Sequence, residues 1–153
     1  MGQVEASATL AASIESVWEC LNDIHHTPEW VVGLEKAELK TPGPYGHGAV
    51  YHDINRVGPF RQVTPWLVST FEPMSRQMHE STSRVLPSTM TLRLLPDTDG
   101  TRLVMTVEYR FLPRLGRLSS LFESWLMNRL LARVLKQNLL QLSGYLEHRR
   151  MGH

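Results

Sequence analysis

What this chain of 153 residues lacks narrows its reading first. A single cysteine, Cys20, rules out an internal disulfide, so stability must come from a packed core and the setting is expected to be reducing. Charge of one sign is missing too. The 16 Lys and Arg against 15 Asp and Glu leave +1, which excludes the cationic coat of a nonspecific nucleic-acid binder. No apolar run reaches spanning length, since Arg117 to Leu131 is broken by Ser, Glu and Arg, and no basic, apolar leader opens the chain. A cytoplasmic protein without stable membrane insertion is therefore expected. There is no Gly-rich phosphate loop, no serine-nucleophile elbow and no paired-carboxylate signature. The adjacent pair His25-His26 lacks the three- or four-residue spacing of metal ligands, and Cys20 lacks a local base to activate it. No metal and no cofactor are expected.

What is present is the composition of one soluble globular domain spanning residues 1–153, with 42% apolar and 20% charged residues. Val4, Ala6, Ala8 and Leu10 alternate with polar residues as a half-buried strand does. Ser13 offers a cap to a short helix with Ile14, Val17, Leu21 and Ile24 at helical spacing, and Thr27-Pro28 opens a further turn. Six more strands are predicted, over 34–40, 49–55, 60–71, 76–83, 88–95 and 102–111, separated by Pro- and Gly-rich turns. Short connections imply an antiparallel meander.

A long amphipathic helix closes the chain. Ser120 to Glu123 has the spacing of a capping box, and Met127, Leu131, Val134, Leu135, Leu142 and Tyr145 form one stripe, opposite Arg129, Arg133, Lys136 and Glu147. Asn138 interrupts the stripe with an amide that needs partners if buried. The helix start around Phe122, Trp125 and Leu126 has almost no polar side. It predicts either a covering loop or a homodimer contact.

The order of elements, with Ile14-Glu15-Ser16-Val17-Trp18, Asp23 followed by Pro28-Glu29-Trp30, Gly46-His47-Gly48, Val68 to Pro73, Asp99 to Leu103 and the Leu-rich last helix, resembles the START-like superfamily. This superfamily is also called SRPBCC, or birch-pollen-allergen-like, and the resemblance is to its polyketide cyclase/dehydrase-type members. It implies an α+β helix-grip fold: a curved seven-stranded antiparallel sheet wrapped around the C-terminal helix, with two short helices between strands 1 and 2. It also implies a cavity between sheet and helix that binds, carries or senses a hydrophobic small molecule such as a lipid, sterol or polyketide-like compound. The alternative it implies is a polyketide aromatase/cyclase using general acid/base groups in the same cavity.

If inward positions follow the apolar alternation, Val50, His52, Ile54, Trp66, Val68, Met90, Leu92, Met105, Val107 and Tyr109 line the sheet side. Leu131, Leu135 and Asn138 close the cavity from the helix. His52, Tyr109 and Asn138 are its expected polar contacts, with His52, Tyr109 and Arg61 the candidates for acid/base chemistry. Each has an alternative: His52 turned out by a register slip of one residue, Tyr109 at the rim, Asn138 bonded to a water or a strand. The polar alternation Gln77, His79, Ser81 shows no clear apolar face.

Overall fold

In the computed structural model, which describes residues 2–83, 87–110 and 117–151, the strands form one antiparallel sheet of seven in the order β1-β7-β6-β5-β4-β3-β2. These are β1 Gly2–Leu10, β2 Leu34–Leu39, β3 Val50–Val57, β4 Phe60–Glu72, β5 Arg76–Ser81, β6 Ser88–Asp97 and β7 Gly100–Tyr109. Helix α1, Ile14–Asn22, and a 3-10 helix, Ile24–Glu29, lie between β1 and β2, and the long helix α2, Arg117–Met151, ends the chain. The expected helix-grip fold is the one found.

Local chemistry explains most of the boundaries. The Ser13 hydroxyl accepts from the Ser16 amide at 3.1 Å and satisfies one of the free donors at the start of α1. The 3-10 helix starts at Ile24 rather than at Pro28, which sits inside it near its end. Helix α2 starts at Arg117, so the Ser120 to Glu123 spacing lies within the helix and does not begin it. Pro113 and Gly116 lie outside the described residues, as does the side chain of Phe122.

The inner face of the sheet is a set of cross-strand rows. One runs Tyr51, Trp66, Ser81, Ser88, Tyr109, Gly2; the next runs Val68, His79, Met90, Val107, Val4. A bulge between Val68 and Thr70 then brings Phe71 into the row with Gln77, Leu92, Met105 and Ala6. Against this face α2 presents Leu135, Leu139, Leu142 and Leu146, all buried at spacings of three and four. Val134, on the same stripe, is 38% exposed and still turns toward the space between helix and sheet, together with Leu131 and Leu135. Trp125 and Leu126 are 55% and 41% exposed, respectively.

Two glycines fit close approaches. A Cβ on Gly2 would lie 2.2 Å from the ring of Tyr109, so the bare backbone of β1 makes room for that ring. At the β6–β7 turn Gly100 has φ +143°, and a Cβ there would meet the Leu10 carbonyl oxygen at 2.0 Å. At the other edge of the sheet β2 carries Lys36 and Glu38 and is followed by Lys40, with both lysines paired to the one carboxylate at 2.7 and 2.8 Å. Strand β2 also bulges between Leu34 and Lys36.

Candidate ligand cavity

Between the sheet and α2 lies a cavity of about 350 Å³. Its apolar wall comes from Trp66 on β4, Met90 and Leu92 on β6, Met105 and Val107 on β7, and Leu131 and Leu135 on α2. Ile24, Trp30, Val31 and Val32 close one side, supplied by the 3-10 helix and the residues after it. Polar groups come from the 3-10 helix, β3, β4, β5, β6 and α2, among them Thr27, Tyr51, Asp53, Asn55, Gln62, Thr64, His79, Ser81, Ser88 and Asn138.

Of the residues expected at this site, Trp66, Met90, Leu92, Met105, Val107, Leu131, Leu135 and Asn138 lie on the cavity wall, whereas His52 and Tyr109 do not. The wall of β3 is Tyr51, Asp53 and Asn55, so the intervening His52 and Ile54 project from the other face. The apolar alternation of β3 misleads for a physical reason. Val50 is paired with Leu67 and Ile54 with Val63, which makes an apolar ladder on the convex side of the sheet. Tyr109 does face inward, but it is buried beside Gly2 and its hydroxyl donates to Asn128 Oδ1 on α2. It braces helix against sheet. Arg61, on the outward row of β4, is paired with Glu35 at 3.2 Å and has no place on the cavity wall.

Asn138 is 6% exposed, and its Oδ1 accepts from the Val32 amide at 2.8 Å. That bond ties α2 to the segment that closes the cavity on the 3-10 side. The adjacent strand β5 turns Gln77, His79 and Ser81 inward, a row of polar side chains in a buried position. They form a connected network. The Tyr45 hydroxyl donates to Gln77 Oε1 at 2.7 Å, and Gln77 Nε2 donates to Asn22 Oδ1 at 2.6 Å. Since Gln77 Oε1 can only accept, the His79 nitrogen 3.0 Å from it, Nε2, carries the proton. His79 Nδ1 is then left to accept from the Tyr51 hydroxyl. Burial holds His79, 4% exposed, down at a pKa of about 4, so the ring is neutral at physiological pH. Burial, with a smaller contribution from the Asp53 charge, raises the hydroxyls of Tyr45 and Tyr51.

Asp53 differs from this satisfied network. Burial pushes its carboxyl up to about 7, against a hydrogen bond from Trp66 that lowers it. Its Oδ1 is buried with no hydrogen-bond partner among the described residues, and the same is true of Trp30 Nε1. Sequence reasoning missed Asp53 and Tyr51 through the parity of β3, and His79 because its row carries no apolar signal. The surviving clue was the period-two recurrence of Gln77, His79 and Ser81, which marks one face whatever its polarity. Cys20 is buried and its thiol is pushed up to about 11, mainly by burial, so it stays protonated at physiological pH. His26 is on the surface, paired with Asp23 at 2.8 Å. No group of three potential metal ligands occurs among the described residues, and no helix among them is long and apolar enough to cross a membrane.

The profile of the polyketide cyclase/dehydrase and lipid transport family matches residues 1–147. Among solved structures, the chain is similar to TTHA0849 from Thermus thermophilus, with 17% identity, a TM-score of 0.76 and 96% and 98% of the two chains covered. It is likewise similar to the Zhui aromatase/cyclase from Streptomyces sp. R1128, with 19% identity, a TM-score of 0.76 and coverage of 96% and 94%. A START superfamily protein from Mycobacterium smegmatis superposes with a TM-score of 0.76 at 13% identity, covering 97% and 99%. Among curated proteins, none matches the chain in sequence.

Proposed function

This chain belongs to the polyketide cyclase/dehydrase and lipid transport family, and from that premise we propose that it binds a hydrophobic small molecule in the cavity between the sheet and α2. The observation that carries this reading is the cavity itself. A volume of about 350 Å³ walled by Trp66, Met90, Leu92, Met105, Val107 and Leu131 falls in the range of small-molecule sites and removes an apolar ligand from water. Methionine walls adapt to a ligand's outline, and polar groups among them fix its orientation.

The neutral fluorophore N-phenyl-1-naphthylamine tests this directly. The protein should bind it with enhanced fluorescence, and Leu131→Trp, which fills the cavity from the helix side, should weaken binding at least about tenfold, the effect of occluding an apolar pocket. Equal binding by a correctly folded Leu131→Trp protein would place the probe elsewhere and sink the reading.

A second reading is favoured by Asp53. A carboxyl that titrates near 7 on the wall of a hydrophobic cavity is suited to take up and return a proton at physiological pH, as an aldol cyclisation followed by dehydration requires. Under this reading Asp53 removes the proton next to a ligand carbonyl and the cavity folds the chain so that its carbon meets a second carbonyl. Turnover of a linear poly-β-ketone thioester separates the two readings. An enzyme gives a cyclised, dehydrated product that Asp53→Asn abolishes, and a carrier returns the thioester unchanged.

A further inference from the structure

The side of α2 turned away from the sheet is not the uniformly polar surface that a solvated helix presents. At about 100° per residue, Leu126, Leu130, Arg133, Gln137 and Leu140 share one face, opposite the buried Leu135, Leu139, Leu142 and Leu146. The three outer leucines are 41%, 47% and 61% exposed, so large apolar groups project straight into water. Between Glu123 and Glu147 the chain has no acidic residue, while Arg129, Arg133 and Lys136 are all exposed beside these leucines. Among the described residues no carboxylate pairs with any of the three cations. Trp125, exposed at the start of the same stretch, has the Arg129 guanidinium 5.5 Å from its ring centre.

We propose that this outer face of α2 docks on an anionic lipid surface, with Trp125, Leu126, Leu130 and Leu140 entering the boundary between headgroups and acyl chains and Arg129, Arg133 and Lys136 meeting lipid phosphates. Both halves of the match are chemical: the leucines leave water, and the cations find the negative charge that their own segment does not supply. Arginine and lysine stems are long enough to lie along the apolar boundary while their heads stay with the phosphates. A ridge of leucines on one helix enters a fluid surface without a shaped counterpart, whereas a protein partner would need a groove of matching form lined with acid. A second copy fits poorly, because a two-fold contact sets the same three cations against themselves with no carboxylate on the face between them. The helix lies on the lipid and does not cross it, since no helix among the described residues is long and apolar enough to span a bilayer. The docking is independent of what the cavity holds.

Co-sedimentation of the full chain with vesicles tests this, using phosphatidylcholine alone and phosphatidylcholine with about one third phosphatidylglycerol. The protein should bind the mixed vesicles and not the neutral ones, and raising NaCl from about 0.1 M to about 0.5 M should release it as the charges are screened. Replacing the cations together, Arg129→Gln, Arg133→Gln and Lys136→Gln, should weaken binding to the mixed vesicles about hundredfold. Leu126→Ser, Leu130→Ser and Leu140→Ser together should weaken it at least about tenfold. Because all six side chains are exposed, both variants should unfold in urea cooperatively and near the wild-type midpoint. Failure of the wild-type protein to bind the mixed vesicles, equal binding to both compositions, or binding that both variants retain overturns the proposal. A dimer in sedimentation equilibrium that the leucine variant dissolves overturns it as well, by giving the face to a second copy.

Discussion

Replacing Asp53 with Asn should make the protein more stable at pH 8 by about 2–4 kcal/mol and leave it nearly unchanged at pH 4. The Asp53 carboxyl titrates at about 7 in the folded chain against an ordinary value of 3.8. Between those values the folded state holds a proton that the unfolded state has released, so stability is greatest below 3.8 and falls as pH rises to about 7. The gap corresponds to an upper limit of about 4 kcal/mol, and Asn removes the charge while retaining an oxygen for Trp66. His79 runs the other way. Its folded value of about 4 lies below the usual 6.5, so its contribution is complete above 6.5 and is lost as pH falls toward 4. In the wild type these two dependences oppose each other between about 4 and 6.5. Asp53→Asn should therefore expose a loss of stability on acidification that the wild type largely hides. Urea unfolding of both proteins across pH 4 to 8 checks this, and parallel curves for the two would mean that the carboxyl is not held near 7. A wild-type residue that costs stability at physiological pH, on the wall of a cavity, is the kind retained for function.

Gly100→Ala should destabilise the fold by about 3 kcal/mol or more, or prevent folding. The added Cβ meets a backbone oxygen, that of Leu10 at 2.0 Å, so no side chain can move aside and β1 itself must shift. The φ of +143° adds conformational strain for any residue with a Cβ. Gly58 at the β3–β4 turn is the control: its φ is +62°, and a Cβ there has nothing within 4 Å. Asn tolerates that left-handed region, so Gly58→Asn should cost about 1 kcal/mol or less. Equal midpoints in urea for Gly100→Ala and Gly58→Asn would show that the contact with Leu10 is relieved at little cost.

The fold was legible because its signals are local and repeated. Alternation in β1 and β7, the Pro-Gly punctuation and the final Leu-rich helix each restrict one element, and the resemblance to the START-like superfamily implied how they pack together. The cavity was legible wherever the apolar face is also the inward face, as at Met90 and Leu92 or at Met105 and Val107. It failed on β3, where Val50 and Ile54 are apolar because they pair with Leu67 and Val63 on the outside, so His52 was placed inward in error and Asp53 outward. It failed on β5 for the opposite reason, since there the buried face is the polar one. Asn138 could be placed in the wall from its position on the helix, but its bond to Val32 joins residues 106 apart and leaves no trace in local pattern.

The charged row on β2 bears on how molecules of this protein meet one another. An open sheet ends in a strand with unpaired amides and carbonyls, and such a strand can template another chain and seed aggregates. Here β2 presents Lys36 and Glu38, with Lys40 just past its end and both lysines paired to Glu38, and the strand is kinked at Leu34/Lys36, so an approaching strand would have to desolvate three charges and follow a broken register. Of the two edges that the order β1-β7-β6-β5-β4-β3-β2 leaves, the β2 edge is thereby a poor template for a second chain.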